Sequence, residues 1–264
     1  MYAAQQSCIL LSHDRFIVKI AEHYEEFEKA LRLRFTVFNK EMGCGLDASY
    51  ATGLDYDPYD DFCDHLIVVD SRTDEVVGTY RLMLGFVAEH NRGFYSASEF
   101  DISSIVKLPG EKLELGRSCV HRDYRQASVI SLLWAGIARY VELYKVHYLF
   151  GCASLHTSDP REVSMIYSYL HVFHRADAAY TVYPYQALRG VQLTAVPDLR
   201  EICKKLPPLV KGYLRLGARL CGTPARDPHF GTTDLFVLLE TERLVQRYRR
   251  RYFPEAAGGL CPAS

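Results

Sequence analysis

The stretch KLELGRSCVHRDYRQ, residues 112–126, decides the fold because it joins a strand to the start of a long helix. Alternating apolar residues from Leu113 onward predict the strand, and the apolar spacing in residues 127–144 predicts the helix. A helix N-terminus after a strand presents backbone N–H groups and the positive end of the helix dipole to an anion. Arg122 and Arg125 add guanidinium groups. The pattern favours a phosphate site, although a purely structural turn with solvated arginines fits equally well.

Patterns on both sides of this stretch predict further strands and helices. Apolar alternation predicts strands at 15–20, 65–70, 76–84, 147–155 and 234–240, and helical spacing predicts helices at 21–38 and from about residue 159. The strands at 65–70 and 76–84 flank a short polar turn, which is typical of a hairpin. This order predicts a mixed α/β protein.

Composition excludes several classes of protein. The chain has 264 residues, is 48% hydrophobic and has a formal net charge of -1, which predicts one large domain with a buried core. The nearly balanced charge gives no reason to expect a nucleic-acid partner. Eight cysteines without Cys-x-x-Cys spacing predict reduced thiols in a cytoplasmic protein, with no metal site. We expect neither a secretion signal nor a membrane span.

Five motifs carry a resemblance to a known family. They are Arg34 in RFTVF, the acidic run at 55–66, GTYRL at 78–82, LELGRSCV at 113–120 and a late segment at 205–239. On these motifs, residues 15–240 resemble the acyl-carrier-protein-dependent branch of the GNAT acyltransferase superfamily. This branch includes the ornithine lipid N-acyltransferases, the N-acyl amino acid synthases and the acyl-homoserine-lactone synthases.

The resemblance implies a fold and a domain organisation. The expected fold is α/β (α+β), with a GNAT-like mixed, mostly antiparallel central sheet flanked by helices and a splayed or bulged central strand. We expect a single domain over residues 1–264, with a core at 15–178. A C-terminal extension at 179–253 is expected to pack on this core, and residues 254–264 to form a flexible tail.

Two departures from the family pattern narrow the choice of reaction. The lactone synthases have Trp where this chain has Leu113. Gln126 and Ala127 stand where the classical acetyl-coenzyme A loop has glycines. These differences disfavour a lactone-type signal synthase and a small-acyl coenzyme A acetyltransferase. They favour a donor with a single phosphopantetheine phosphate.

The chemistry implied by the resemblance is attack of an amine on a fatty acyl thioester. An amino-acid α-amine has a pKa near ~8, so it must lose a proton before it can attack. We predict that Glu114 accepts this proton and that Arg117 either pairs with Glu114 or binds the substrate carboxylate. In a regular strand these two side chains would point to opposite faces, so we expect a bulge at Gly116. The simpler alternative makes Glu114 part of a surface ion pair.

The donor site is predicted after the same strand. Backbone N–H groups at Cys119 and Val120 are expected to bind the thioester oxygen as negative charge develops on it. The residues expected at the phosphopantetheine phosphate of acyl carrier protein are Arg122, Arg125, Gln126, Ala127 and Ser128. A nucleophilic role for Cys119 is disfavoured because the sequence shows no partner base.

An acidic run gives the predicted acceptor site. Its five carboxylates belong to Asp55, Asp57, Asp60, Asp61 and Asp64. Such a run needs cations nearby, and the family places Arg34 and Arg81 beside it. We predict that Arg34, Asp57, Asp60, Asp61 and Arg81 bind the amino-acid substrate. A solvated acidic loop remains the alternative.

A basic stretch and the resemblance together suggest the partners. Lys204, Lys205, Lys211, Arg215 and Arg219 alternate with apolar residues, which suits an acidic protein or anionic lipids, although an ordinary amphipathic helix would also fit. The leading hypothesis is transfer of a 3-hydroxy fatty acyl group from acyl carrier protein to ornithine or a similar amino acid. The enzyme would be cytoplasmic, with possible contact at the inner face of the membrane. A non-catalytic binding module on the same scaffold is the alternative from another class.

Overall fold

A computed structural model describes residues 9–125, 128–196, 198–228, 230–242 and 244. Its strands are β1 (Ile9–His13), β2 (Phe16–Ile20), β3 (Asp64–Asp70), β4 (Glu75–Leu84), β5 (Phe100–Asp101), β6 (Glu111–Val120), β7 (Val146–Leu155), β8 (Tyr183–Pro184), β9 (Arg219–Leu220), β10 (Ala225–Asp227) and β11 (Thr232–Glu240). Its α-helices are α1 (Tyr24–Phe35), α2 (Ser49–Thr52), α3 (Gly85–His90), α4 (Ser103–Val106), α5 (Val129–Tyr144), α6 (Pro160–His174), α7 (Leu199–Lys205) and α8 (Pro208–Leu216). None of the helices in these ranges is long and apolar enough to cross a bilayer.

The chain divides into two compact units. The first takes in the described residues within Met1–Leu82, Gly116–Lys145 and Leu244–Ser264, and the second those within Met83–Leu115 and Val146–Arg243. The boundaries of core, extension and tail given above stay a prediction.

The first unit is built on antiparallel strands and α5. Strands β1, β2, β3 and β4 lie side by side in this order, followed by the second half of β6, and each of the pairs from β1 to β4 is antiparallel. Two glycines allow α5 to lie close to the sheet. A Cβ on Gly78 would lie 2.7 Å from Val129 Cγ1, and one on Gly136 would lie 2.7 Å from Val18 Cγ1. Both contacts are shorter than a real side chain tolerates, so each surface needs its glycine.

Helix α1 ends in a wider turn than its sequence predicts. The helix predicted over 21–38 is α-helical only to Phe35, and Thr36–Glu41 form a π-helical turn in which Met42 N bonds to Val37 O at 3.0 Å. The apolar periodicity continues through the turn, which is why the pattern did not reveal it. The turn buries Asn39, whose Nδ2 donates to Leu46 O at 2.9 Å.

The second unit combines one parallel strand pair with antiparallel pairs. The first half of β6 runs parallel to β7, β7 is antiparallel to β11, and β11 also pairs with β9 and β10. Helix α6 begins where the Asp159 carboxylate accepts a hydrogen bond from Arg161 N at 3.0 Å. The basic stretch spans the end of α7, all of α8 and, at Arg219, the start of β9. Ile202 of α7, Leu206 between the helices and Val210 of α8 join the core of this unit. An amphipathic helix pair therefore accounts for that stretch locally.

Strand β6 has an unusual backbone conformation next to the position of the predicted bulge. Arg117 has a φ of 48°, in the left-handed region, and directly follows Gly116. The bulge itself stays a prediction. The register with β7 runs from Glu111 to Glu114. Just beyond it, a Cβ on Gly151 would lie 2.3 Å from Leu115 O, so the close approach there requires glycine.

Candidate active site

Three arginines and three aspartates form a buried cluster in the first unit, which we call the ion-pair network. Its members are Arg34, Asp55, Asp57, Asp60, Arg81 and Arg117. Arg34 donates to Asp55 Oδ2 at 2.9 Å and to both oxygens of Asp60. Arg81 Nη1 lies 2.7 Å from Asp57 Oδ1 and 3.2 Å from Asp60 Oδ1. Arg117 Nη2 donates to Asp57 Oδ2 at 2.8 Å.

Three separate elements bring the guanidinium groups to one loop. Arg34 lies on α1, Arg81 on β4 and Arg117 on β6, while the aspartates lie in the loop before β3. Three formal positive charges face three negative ones, so the ion-pair network is neutral. Burial by itself would raise the pKa of the Asp60 carboxyl, but Arg34 and Arg81 outweigh burial and lower it. The pKa of Asp57 is also lowered, because Arg81 and Arg117 outweigh its burial.

This geometry separates the predicted acceptor residues into two groups. The structure brings Arg34, Asp57, Asp60 and Arg81 together, and it adds Arg117, which was expected beside Glu114 or the substrate. Asp61 lies outside the ion-pair network: it is exposed and accepts a hydrogen bond from Tyr56 Oη at 2.8 Å. Any ligand of Asp57 or Asp60 would therefore compete with arginine partners, whereas Asp61 faces solvent.

A neutral histidine lies next to the ion-pair network. His65 Nε2 lies 3.3 Å from Asp60 O, and its ring packs edge-on against Phe27, with 4.7 Å between centroids. Burial lowers the pKa of His65 to about 4, and the attraction of Asp60 only partly opposes this. At neutral pH the imidazole is uncharged, which leaves the charge balance intact.

Glu114 is the centre of a buried hydrogen-bonded group in the second unit. Its Oε2 accepts from Tyr95 N at 2.7 Å and its Oε1 accepts from Ser96 N at 2.7 Å. Ser96 Oγ also donates to Oε1, and Cys152 Sγ donates to Ser96 Oγ at 3.5 Å. We call these four residues the Glu114 group. Glu114 is 5% exposed, so the surface ion pair considered as its alternative is not what the structure shows.

A second set of carboxyl groups lies beside Cys152. Donor atoms of Glu99, Cys152 and Asp234 all lie within 4.8 Å of one another, a spacing that could suit a metal ion. Both carboxylate oxygens of Glu99 are buried, and side-chain contacts with Tyr95 and Cys152 only partly offset that burial. Burial, reinforced by Asp234 and Asp227, raises the pKa of Glu99 to about 8. Burial likewise raises the pKa of Asp234 to about 6, so this set holds a proton at neutral pH.

The turn after β6 contains the predicted donor residues. Cys119 lies in the apolar core of the first unit, and burial raises the pKa of its thiol, so it does not have the properties of a nucleophile. Arg122 is exposed, whereas Arg125 pairs with Glu41 at 2.6 Å and donates to Val120 O at 3.1 Å. Ser128 directly precedes α5. Gln126 and Ala127 lie outside the described residues, and the phosphate site stays a prediction.

Several site residues escaped the sequence analysis. Ser96, Glu99 and Cys152 were not singled out, and Asp55 was counted in the acidic run but not among the binding residues. Asp234, which was also not singled out, carried a usable signal, because its carboxylate directly precedes the apolar run 235–239 of a buried strand. Ser96 had no such signal, since its turn has ordinary loop composition.

Comparison with known proteins defines the class. A family model described as an acetyltransferase (GNAT) domain matches residues 33–135. FeeM, an N-acyl amino acid synthase from uncultured soil microbes, superposes with a TM-score of 0.52 at 12% identity, covering 92% of this chain and 98% of FeeM. These findings, with the mostly antiparallel sheet and flanking helices, confirm the predicted fold class: the protein has the fold of the GNAT superfamily.

Sequence relatives define the family within that class. The L-ornithine N(alpha)-acyltransferase of Brucella abortus (strain 2308) is 37% identical over 269 residues, covering 97% of this chain and 95% of the relative. The protein of the same name from Agrobacterium fabrum (strain C58 / ATCC 33970) is 36% identical over 249 residues, covering 90% and 85%. The chain belongs to the L-ornithine N(alpha)-acyltransferase family.

Proposed function

We propose that this enzyme transfers a 3-hydroxy fatty acyl group from acyl carrier protein to the α-amine of ornithine or a similar amino acid. The product would be a lyso-ornithine lipid. The observation that carries the proposal is similarity along 97% of the chain to a relative named for N-acylation of ornithine. The GNAT fold supports the acyl-transfer chemistry.

Glu114 is the proposed proton acceptor. A general base must have a fixed direction, and three donors from Tyr95 and Ser96 fix the Glu114 carboxylate. Arg117 is proposed to act in binding the acceptor carboxylate. Its present partners, Asp55 and Asp57, hold the guanidinium in place.

The donor side is proposed to use the end of β6 and the start of α5. Backbone N–H groups at Cys119 and Val120 would stabilise the oxyanion, and Arg122, Arg125 and Ser128 would bind the phosphopantetheine phosphate of acyl carrier protein. The basic residues of α7 and α8 offer a second contact for the acidic carrier or for an anionic membrane surface. Part of that charge is already paired, since Lys204 lies 2.6 Å from Glu201 and Lys205 lies 3.2 Å from Glu162.

Lipid analysis tests the proposal. The chain is expressed in a host without ornithine lipids, and its lipids are compared by mass spectrometry with those from a Glu114→Gln variant. We expect a lyso-ornithine lipid from the parent and a fall of about 100-fold or more in the variant. Glu111→Gln is the matched control, because Glu111 lies on the same strand and accepts a backbone hydrogen bond from Gly85 N at 2.7 Å. An acylated product without an amino acid, or no product, contradicts the proposed function.

A second assay separates the possible donors. Purified enzyme is given ornithine with either 3-hydroxyacyl carrier protein or the matching coenzyme A thioester. Faster transfer from the carrier protein is expected. Equal or faster transfer from coenzyme A contradicts the proposed donor while leaving the acyltransferase assignment in place.

A further inference from the structure

Ser96 has an unusual position relative to Glu114. Ser96 is fully buried in the short 3-10 helix Tyr95–Ser98. Its backbone N–H group and its hydroxyl group both donate to the same carboxylate oxygen. Its backbone N lies 2.7 Å from Glu114 Oε1, and its Oγ donates to that atom as well. Any residue can supply the backbone N–H group. The hydroxyl group is the contribution that depends on serine.

Cys152 also contacts the Ser96 hydroxyl group. The Cys152 thiol lies 3.5 Å from Ser96 Oγ and donates to it. Burial, reinforced by Glu99, raises the pKa of Cys152 well above its usual value, so the sulfur keeps its proton. A hydroxyl group has one proton and two lone pairs. An ionised carboxylate can only accept hydrogen bonds, so the hydroxyl proton is directed to Glu114, and the Cys152 thiol donates to a lone pair of the same oxygen.

We infer that Ser96 is a positioning residue for the acyl-transfer reaction: its hydroxyl group, held by Cys152, fixes the Glu114 carboxylate in the direction that the reaction requires. This inference rests on the proposed role of Glu114 as proton acceptor. A hydrogen bond to an ionised carboxylate favours the ionised form. Loss of the hydroxyl group should therefore make Glu114 hold a proton up to a higher pH.

The charged surroundings set the sign of the expected effect. The titratable groups that interact with one another beside Glu114 are Cys152 on β7, Tyr95 and Glu99 in and after the 3-10 helix, Asp234 on β11 and Asp227 on β10. The attraction of a base would oppose the expected shift, but these groups are acids or a thiol. Where Asp234 and Glu99 ionise, at pH values above their raised pKa values, their negative charge also favours a protonated Glu114. Removing the hydroxyl group and ionising the neighbours therefore act in the same direction.

The test is a pH profile of kcat/KM for Ser96→Ala with saturating acyl donor. We expect the acidic limb to move to higher pH by roughly 0.5 to 1 unit, which lowers kcat/KM by about 3- to 10-fold at pH values on that limb and leaves the plateau at higher pH unchanged. The KM for the amino acid should stay within about 2-fold, because Ser96 is not proposed to touch it. Ser98→Ala is the matched control, since Ser98 lies in the same turn and bonds only to Tyr95 O at 2.7 Å among the contacts described for it.

Variants of Cys152 provide a second, independent test of the inference. Cys152→Ala should shift the acidic limb in the same direction by a smaller amount, whereas Cys152→Ser retains a donor and should keep the parental profile. Thermal unfolding of every variant is measured in parallel. An unshifted limb in a stably folded Ser96→Ala variant overturns the inference. So does a loss of rate that is equal at every pH, because a merely structural role would give that result.

Glu114→Gln separates this inference from the proposed function. If that variant keeps near-normal turnover, the proposed base is wrong and the positioning role fails with it. If it is inactive while Ser96→Ala keeps the parental profile, Glu114 stands as base and only the positioning role is overturned.

Discussion

The Arg34 guanidinium donates two parallel hydrogen bonds to the Asp60 carboxylate, with Nη1–Oδ1 at 2.7 Å and Nη2–Oδ2 at 3.0 Å. Both side chains are completely buried. Burial of a charge costs free energy unless an opposite charge pairs with it, so replacing either residue with a neutral one should destabilise the fold.

The first prediction concerns stability. Asp60→Asn should lower the free energy of unfolding by about 3 to 5 kcal/mol, because it leaves three arginines against two aspartates and so one uncompensated positive charge in the core. Urea unfolding at pH 7 measures this. Arg32→Gln is the control on the same helix, because Arg32 forms an exposed pair with Glu28 that should contribute less than about 0.5 kcal/mol. A similar small loss for Asp60→Asn would show that the ion-pair network does not stabilise the fold.

Acceptor recognition gives the second prediction. If Asp61 binds the side-chain ammonium of ornithine, Asp61→Asn should raise KM for ornithine by about 10- to 100-fold and leave KM for norvaline nearly unchanged. Asp57→Asn should instead raise KM for both ornithine and norvaline and lower the free energy of unfolding, because Asp57 pairs with Arg81 and Arg117. Asp47→Asn, an exposed position elsewhere, is the control. An equal rise in KM for ornithine and norvaline with Asp61→Asn would mean that Asp61 supports the fold or binds the α-amine, and not the side-chain ammonium.

The third prediction distinguishes the roles of the two arginines in the turn after β6. Arg122→Ala should raise KM for acyl carrier protein by about 5- to 10-fold without changing Tm, because Arg122 is exposed. Arg125→Ala should raise KM and also lower Tm, since Arg125 joins Glu41 to Val120. Arg139→Ala on the exposed side of α5 is the charge-matched control. An unchanged KM at physiological salt would place the phosphate elsewhere.

A pH dependence of stability is the fourth prediction. The pKa of Glu99 rises from 4.5 to about 8 on folding, so the folded state binds a proton that the unfolded state releases. This group therefore stabilises the fold fully below pH 4.5, and its contribution falls as pH rises through about 8.

Glu99→Gln mimics the protonated acid at every pH and tests this directly. It should be more stable than the parent by on the order of 3 kcal/mol at pH 8, with the difference vanishing near pH 4.5. Glu89→Gln, at an exposed position in α3, should show no such trend. Parallel stability curves for the parent and Glu99→Gln would contradict the raised pKa.

The sequence was sufficient for elements with a regular period and insufficient for partners far apart in the chain. Apolar alternation located β2, β3, β4, β7 and the core of β11, and it located β6 together with the helix that follows. It could not show that the acidic run faces three arginines instead of two, because Arg117 approaches from a different strand. The pairing of Glu99 with Asp234 was invisible for the same reason.

The sequence could not predict the backbone irregularities, for a different physical reason. The π-helical turn at 36–41 keeps the apolar spacing of a helix, so periodicity cannot distinguish it. The left-handed residue in β6 is Arg117 although glycine is its neighbour. The ion pairs of Arg117 with Asp55 and Asp57 offset the local strain, and this compensation exists only in the folded chain.

The glycine on each side of the α5 contact has a consequence for how this family can vary. A Cβ added at Gly78 would lie 2.7 Å from Val129 Cγ1, and one added at Gly136 would lie 2.7 Å from Val18 Cγ1, so a methyl group at either glycine would push the helix away from the sheet. Val129 is the first residue of α5, so a methyl group at Gly78 would act at the end of the helix next to the predicted donor site. Enlarging that one residue would therefore re-aim the predicted donor-binding loop without altering a single residue inside it. Drift at a remote, chemically silent position is thus a route by which relatives of this enzyme could change the acyl carrier they accept.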